Sequence, residues 1–241
     1  MLEEAENHYL LILSDSALPI GSFAYSSGLE SFCHHQRQAG QHDAASSFLD
    51  FLYDSLRSIT TTTMPFLRAA YREPERCAEL DDLFDANTPC VVARRCSIAQ
   101  GRALLKLLER VFVEADPVTQ DASLGNAVVT YRRAITKQAC SGHFGVAYGL
   151  TGRVLGIGID KLVYTFLHAH VKAVLSAAVR LSLIGPYEST HILASRQMRE
   201  ALTHAAKLSE AMSTDDCVQT FAMLDVYQGR HELLYSRIFS A

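Results

Sequence analysis

The chain has 241 residues, of which 49% are hydrophobic and 20% charged, and its formal net charge is −4. This composition is ordinary for a packed globular protein, and the lack of any Lys/Arg run argues against a nucleic-acid partner. The acidic start, Met1 to Glu6, is the reverse of the basic start of a signal peptide. These features predict a cytoplasmic protein with neither a nucleic-acid nor a membrane partner.

Helical periodicity, with apolar residues three and four positions apart, dominates the chain. No alternating strand pattern is longer than Ile59 to Thr63, and no linker rich in Pro, Gly or Ser separates two halves. We therefore predict a single all-α domain over residues 1–241, a bundle of about ten helices. The better-defined helices are expected over 3–14, 28–36, from Asp43 or Ala44 onward, from Pro65 to Tyr71, and over 91–113, 122–139, 160–184, 188–212 and 218–234.

Two stretches in the second half of the chain carry strong packing signals. Between Gly142 and Gly158 six glycines interrupt an apolar helical pattern. A glycine within a helix costs about 1 kcal/mol against alanine, so this stretch indicates a close approach by another helix. From Leu162 to Ile184 apolar residues cover more than half of a helix circumference, interrupted by two histidines, a lysine and an arginine. Because a charge at the centre of a bilayer costs about 2.5 to 3.5 kcal/mol, we expect a central core helix and not a membrane span.

Motifs for catalysis and nucleotide binding are missing from the sequence. There is no GxxxxGK[ST] phosphate loop and no GxSxG nucleophile elbow, and Gly156-Ile157-Gly158 lacks the third glycine of a dinucleotide fingerprint. The carboxylate pairs Asp81-Asp82 and Asp215-Asp216 are interpreted as solvated ends in exposed turns. The six cysteines, none of them in a CxxC pair, are interpreted as free, mostly buried thiols. We predict that the chain is not an enzyme and binds no cofactor itself.

Ten histidines raise the question of a metal site. His231-Glu232 begins like an HExxH motif, but Tyr235 stands where the second metal-binding imidazole is needed. His168 and His170 lie about 200° apart on a helix, so they cannot share one ion. We interpret the histidines as polar groups that cap helices or line helix packing, and we assign no metal ligand. A transient site across a symmetric dimer stays open as an alternative.

Two segments contain more large apolar side chains than a connector or a chain end needs. Leu11 to Glu30 joins a helix end to a loop that contains Pro19 and Gly21 and keeps aromatic residues such as Phe23. Pattern alone leaves two interpretations, a loop tucked under the core or a docking surface. His231 to Ser240 holds two Leu, a Tyr, an Ile and a Phe, although chain ends are usually polar and frayed. This end either folds back on the core or anchors a partner.

Together these segments resemble the urease accessory protein F (UreF) family. The family's "LSD-ALP-GSF-SSGLE" block is matched from Leu13 to Glu30, and its "H-LYSRLF-S" end is matched from His231 to Ser240, with Ile238 for the usual Leu. Between them, His143 to Gly149 looks like the "HFPVVFG" block, with glycine in place of proline. Ala178 to Pro186 looks like the "AVRLG-IGP" block. The blocks follow the family's order over nearly the whole chain.

The resemblance implies an all-α protein that forms a homodimer and assembles with a D-type (or H-type) scaffold protein and a G-type GTPase to deliver nickel to apo-urease. It implies a non-catalytic bridge that couples GTP hydrolysis to nickel insertion, while the partner proteins handle GTP and nickel. The tail over residues 233–241 is expected to dock the scaffold, and the Pro/Gly loop is expected to lie in the contact surface. The residues expected to bind partners are Pro19, Gly21, Ser22, Phe23, Ser26, Gly28, Glu30, Arg180, Leu234, Tyr235, Ser236, Arg237, Phe239 and Ser240.

Two other functions stay as alternatives. A nickel-carrying metallochaperone would hold the ion through its own histidines, and equilibrium dialysis with nickel would detect this. A helical hydrolase with Ser26 as nucleophile would react with a serine-directed probe.

Overall fold

The computed structural model describes residues 2–40, 44–113 and 122–240, and these residues contain helices and turns but no strand. The all-α prediction is confirmed. Asp43, one of the two expected helix starts, and Ala241, the end of the expected tail, lie outside the described residues. The α-helices are α1 Leu2–Ser14, α2 Leu29–Gln38, α3 Ala44–Thr62, α4 Met64–Arg72, α5 Cys77–Ala86, α6 Val91–Leu107, α7 Ala122–Thr136, α8 Phe144–Val154, α9 Ile159–Arg180, α10 Pro186–Ala194, α11 Arg196–Leu208 and α12 Ala222–Arg230. Short 3₁₀ turns lie at Ser22–Ala24, Pro74–Arg76, Ser209–Ala211, Thr214–Asp216 and His231–Leu233.

Helix α9 is the central helix, as predicted. Its buried side chains include Leu162, Phe166, Val171 and Leu175, and it packs against α1, α3, α4, α8, α10 and α11. Within the described ranges, α9 is the one helix long and apolar enough to cross a bilayer, and half of its most apolar window is buried inside the molecule. The surrounding helices therefore pack around α9, which lies at the centre of the bundle.

Glycines allow α8 to approach its neighbours closely. A Cβ at Gly149 would lie 2.2 Å from the carbonyl oxygen of Leu67 in α4. A Cβ at Gly101 in α6 would lie 2.2 Å from the carbonyl oxygen of Gly142, just before α8. Real Cβ atoms do not approach backbone so closely, so both contacts require glycine. The glycine-rich stretch therefore packs closely against neighbouring helices, as its composition predicted.

The predicted helices differ from the structure in several places, and helix α5 was not predicted. The single helix expected over 188–212 is two helices, because the chain is extended at Ser195, whose side-chain oxygen accepts a hydrogen bond from the backbone N of Met198 and caps α11. The helix expected over 91–113 is α-helical only to Leu107 and continues as a π-helix from Leu108 to Val113. The last helix covers only Ala222–Arg230, since the chain tightens into a 3₁₀ turn after it.

Asp81 was wrongly assigned to an exposed turn. It is fully buried in α5, while Asp82 beside it is exposed. Its carboxylate accepts hydrogen bonds from the hydroxyl of Tyr131 at 2.7 Å and from the backbone N of Gly142 at 2.7 Å and of His143 at 2.5 Å. The backbone N of Ser141, which precedes Gly142, donates a fourth hydrogen bond to this carboxylate at 2.6 Å. A buried carboxylate needs such donors, so Asp81 joins α5, α7 and the start of α8. Asp215 and Asp216 are exposed, as predicted.

The cysteines are free thiols, as predicted. Four of them are buried and two, Cys96 and Cys217, are partly accessible. Burial raises the pKa of Cys33 to about 12, so this thiol stays protonated and inert at neutral pH.

Candidate partner-docking site

The loop between α1 and α2 depends on two glycines with left-handed backbone conformation. Gly21, with φ of 76°, precedes the 3₁₀ turn Ser22–Ala24, and Gly28, with φ of 84°, is the N-cap of α2. A side chain at either position would strain the backbone. At Gly28 a Cβ would also lie 3.1 Å from Cγ of Gln228. Gly28 therefore lets the end of the loop pack tightly against α12.

Glu30, in the first turn of α2, is buried and faces the C-terminal segment. Its Oε2 accepts hydrogen bonds from Nε2 of His231 at 2.8 Å and from the backbone N of Phe239 at 3.1 Å. Its Oε1 accepts from the backbone N of Ile238 at 2.6 Å. Because an ionised carboxylate only accepts hydrogen bonds, the imidazole nitrogen is the donor. We call the Glu30 carboxylate with these three donors the Glu30 clasp.

Further contacts fasten the C-terminal segment on both sides of the clasp. The backbone N of Ser240 donates to the carbonyl oxygen of Ala24 at 2.8 Å. The ring of Phe239 is buried, and the guanidinium of Arg180 lies 4.2 Å from its centroid, a distance at which cation–π attraction acts. Glu232 forms an ion pair with Arg95 of α6. The chain end therefore folds back on its own core.

The same segments leave four large apolar side chains in solvent. Tyr235 is fully exposed, and Phe23, Leu233 and Ile238 are 61%, 76% and 62% exposed. They lie close to the clasp and to the bond between Ala24 and Ser240, which hold the two segments together. We call these four side chains the docking surface. Large apolar side chains that stay exposed on fixed segments are typical of a protein–protein contact.

The residues predicted to bind partners fall into two groups in the structure. Ser26, Gly28, Glu30 and Phe239 are buried, so they position the surface and do not reach a partner in this conformation. The accessible members are Pro19, Gly21, Ser22, Phe23, Arg180, Leu234, Tyr235, Ser236, Arg237 and Ser240.

Three residues of this site were not named among the expected partner-binding residues, although two of them, Leu233 and Ile238, lie in the tail that was expected to dock. His231 donates to the clasp, and Leu233 and Ile238 contribute half of the docking surface. The apolar content of the chain end was the signal for the two aliphatic residues. The partner of His231 is 201 positions away, and no local pattern reveals such a pair.

The arrangement is suited to recognition. Ser26, the nucleophile of the hydrolase alternative, is buried, and its hydroxyl accepts a hydrogen bond from the backbone N of Glu30, in the first turn of α2, at 3.4 Å. His143 is buried with its Nε2 2.9 Å from Asp85, and His231 is held in the clasp. Across residues 2–40, 44–113 and 122–240 no group of three or more His, Cys, Asp or Glu is arranged to hold a metal ion.

Comparison with known proteins shows the family of this chain. The UreF family model matches residues 42–197. The uncharacterized urease accessory protein UreF-like of Schizosaccharomyces pombe is 36% identical over 241 residues, covering 99% of this chain and 98% of that protein. Urease accessory protein F of Arabidopsis thaliana is 31% identical, covering 94% and 89%, and urease accessory protein UreF of Corynebacterium efficiens is 28% identical, covering 94% and 93%.

The helical fold and these full-length matches define the chain as a urease accessory protein, which acts in the maturation of urease. More narrowly, the chain belongs to the UreF family, which is generally non-catalytic.

Proposed function

We propose that this protein is a non-catalytic adaptor of the cytoplasm that bridges the D/H-type scaffold and the G-type GTPase and couples GTP hydrolysis to nickel delivery into apo-urease. The docking surface is the observation that carries the proposal. Its four side chains are apolar and in solvent, yet the segments that bear them are fastened by buried contacts. Burial of such side chains against a partner is a main source of binding free energy.

The rigidity of these segments favours a pre-organised contact. A disordered tail would have to be ordered on binding, which weakens the affinity. Here the clasp and the bond between Ser240 and Ala24 have already fixed the segment. Tyr235 and Ile238 are the residues we expect to enter the D/H-type scaffold, with Phe23 beside them.

The bridging role is tested by assembly of purified proteins on a sizing column. We expect the G-type GTPase to co-elute with the D/H-type scaffold only when this chain is present, and the assembled complex to contain two copies of it. Equal co-elution of scaffold and GTPase without this chain would contradict the bridging role. Urease activity in cells that lack the chain should be restored by the wild-type gene and not by a variant that fails to assemble.

Nickel handling by the partners is tested separately. Equilibrium dialysis of the isolated chain with nickel should show no site tighter than about micromolar, because the structure offers no preformed group of ligands in its described part. A stoichiometric, tight site would favour the metallochaperone alternative over the adaptor.

A further inference from the structure

A cavity of about 380 Å³ lies along one face of the central helix α9. Phe166, Ala169, Ala173 and Arg180 line it, and their spacings of three, four and seven place them on one side of the helix. This face extends for about 21 Å, at 1.5 Å per residue. The facing helix α3 contributes mostly small side chains one turn apart. They are Ser55, Ser58, Ile59 and Thr62.

The other walls come from separate parts of the chain. They are the loop from Leu13 to Gly28, the region from Phe84 to Gln100, the start of α8 and the segment from Cys217 to Gln228. Protein therefore surrounds the space on several sides, and its volume lies in the range of small-molecule sites. A folded partner does not fit such a space, whereas a small molecule does.

The charges around the cavity balance. Asp15 and Asp225 are the acidic residues that line it, and Lys172 and Arg180 are the basic ones. The remaining wall is mainly apolar. An ion that left water for this space would meet no excess of opposite charge to replace its hydration. The cavity therefore favours an uncharged guest.

His170 provides a hydrogen-bonding group in the apolar wall. Its Nε2 lies 3.2 Å from the hydroxyl of Ser55, and its Nδ1 has no hydrogen-bond partner among the residues that the structure describes. Burial lowers the pKa of His170 to about 4, so the ring is neutral at cellular pH. A neutral imidazole can pair with either a donor or an acceptor of a guest, depending on its tautomer.

We propose that this cavity binds an uncharged, largely apolar small molecule that forms a hydrogen bond with His170. The cavity adjoins the docking segments and shares residues with them. Phe23 lines both the cavity and the docking surface, and Gln228 lines the cavity and packs on Gly28. A small molecule that binds the cavity only when the docking segments are in the arrangement seen here would stabilise that arrangement.

The test uses two fluorescent probes with the same ring system, titrated into the full chain. N-phenyl-1-naphthylamine is uncharged, and 8-anilinonaphthalene-1-sulfonate carries one negative charge. We expect one saturable site per chain for the uncharged probe, with an affinity at least about tenfold higher than for the sulfonate. No saturable binding, or equal affinity for the two probes, would overturn the proposal.

Variants locate the bound probe. Ala173→Phe fills the cavity and should weaken binding of the uncharged probe at least about tenfold, whereas Ala194→Phe, on the exposed end of α10, should leave it unchanged. If Ala173→Phe does not fold, Ala169→Leu makes a smaller addition to the same wall. His170→Phe keeps the apolar volume and should weaken the binding of 1-naphthol, an uncharged hydroxyl probe, about two- to tenfold. Full affinity in Ala173→Phe or Ala169→Leu would mean binding elsewhere and would refute the site.

Discussion

Replacement of Glu30 by glutamine should release the C-terminal segment while the helical bundle stays folded. Glutamine has nearly the same shape, but it offers one acceptor oxygen and one NH₂ donor in place of two acceptor oxygens. In the clasp one carboxylate oxygen faces the backbone N of Ile238, and the other faces His231 and the backbone N of Phe239. Either orientation of the amide therefore sets its NH₂ against at least one backbone N–H.

The size of the effect follows from the bond that is lost. In the better orientation Glu30→Gln loses the bond to Ile238, and a hydrogen bond to a charged group contributes about 1.5 to 3 kcal/mol. The opposed N–H of Ile238 is then left without its partner. We expect a loss of about 2 to 3 kcal/mol in the local stability of residues 231–240, which corresponds to about 30- to 150-fold faster exchange through local opening.

Hydrogen–deuterium exchange of the peptide that contains Ile238 and Phe239 measures this directly. Glu232→Gln is the matched control, because Glu232 pairs with Arg95 at the surface, where an ion pair contributes at most about 1 kcal/mol. The circular dichroism of both variants should match the wild type. Unchanged protection of Ile238 and Phe239 in Glu30→Gln would refute the clasp.

Three further predictions concern the core. Gly149→Ala should lower the free energy of unfolding in urea by about 3 kcal/mol or more, because its Cβ would lie 2.2 Å from a backbone carbonyl oxygen. Gly125→Ala is the control, since the space around Gly125 is open, and it should raise the free energy of unfolding by about 0.5 to 1 kcal/mol. Asp81→Asn should cost at least about 3 kcal/mol, since its amide opposes backbone donors, and the exposed Asp82→Asn should stay within about 0.5 kcal/mol. The pKa of His170 is lowered from 6.5 to about 4 by burial, so the folded state resists protonation. The neutral His170 therefore contributes at most about 3 kcal/mol to the free energy of unfolding, and this contribution is fully present above pH 6.5 and lost as the pH falls toward 4. Over that window the free energy of unfolding of His170→Phe should fall less than that of the wild type, as measured by urea unfolding at each pH.

Much of the bundle could be predicted because its signals are local. The apolar circumference of α9 predicts a central helix, and the glycines near Gly149 predict close packing. These features depend on neighbours within a few turns of the same helix. The break at Ser195 was missed, since a serine can stand inside a helix or cap the next one, and tertiary packing decides between them.

The site was harder to predict because its contacts join distant positions. Glu30 and Phe239 are separated by 209 positions, and Asp81 and His143 by 62. A carboxylate that caps a distant loop has the same local sequence as one in solvent, which is why Asp81 was placed in an exposed turn. The family resemblance identified the segments that meet, but only the folded structure separates buried residues such as Phe239 from exposed ones such as Tyr235.

This separation also improves the design of a docking test. Deletion of the tail would remove Phe239, which is buried, so a loss of binding could come from a damaged core. Tyr235→Ser changes only a side chain that is fully exposed in the free protein. Val129→Ser is its control, because Val129 is exposed on α7, which packs mainly on the turn Pro74–Arg76, α5 and α8.

The affinity of the D/H-type scaffold for these variants tests the central claim most directly. By isothermal titration, Tyr235→Ser should bind the scaffold at least about 30-fold more weakly than the wild type, as expected for an aromatic hot spot of 2 kcal/mol or more, and Val129→Ser should bind with wild-type affinity. Wild-type affinity in Tyr235→Ser would contradict the assignment of this surface as the site of docking.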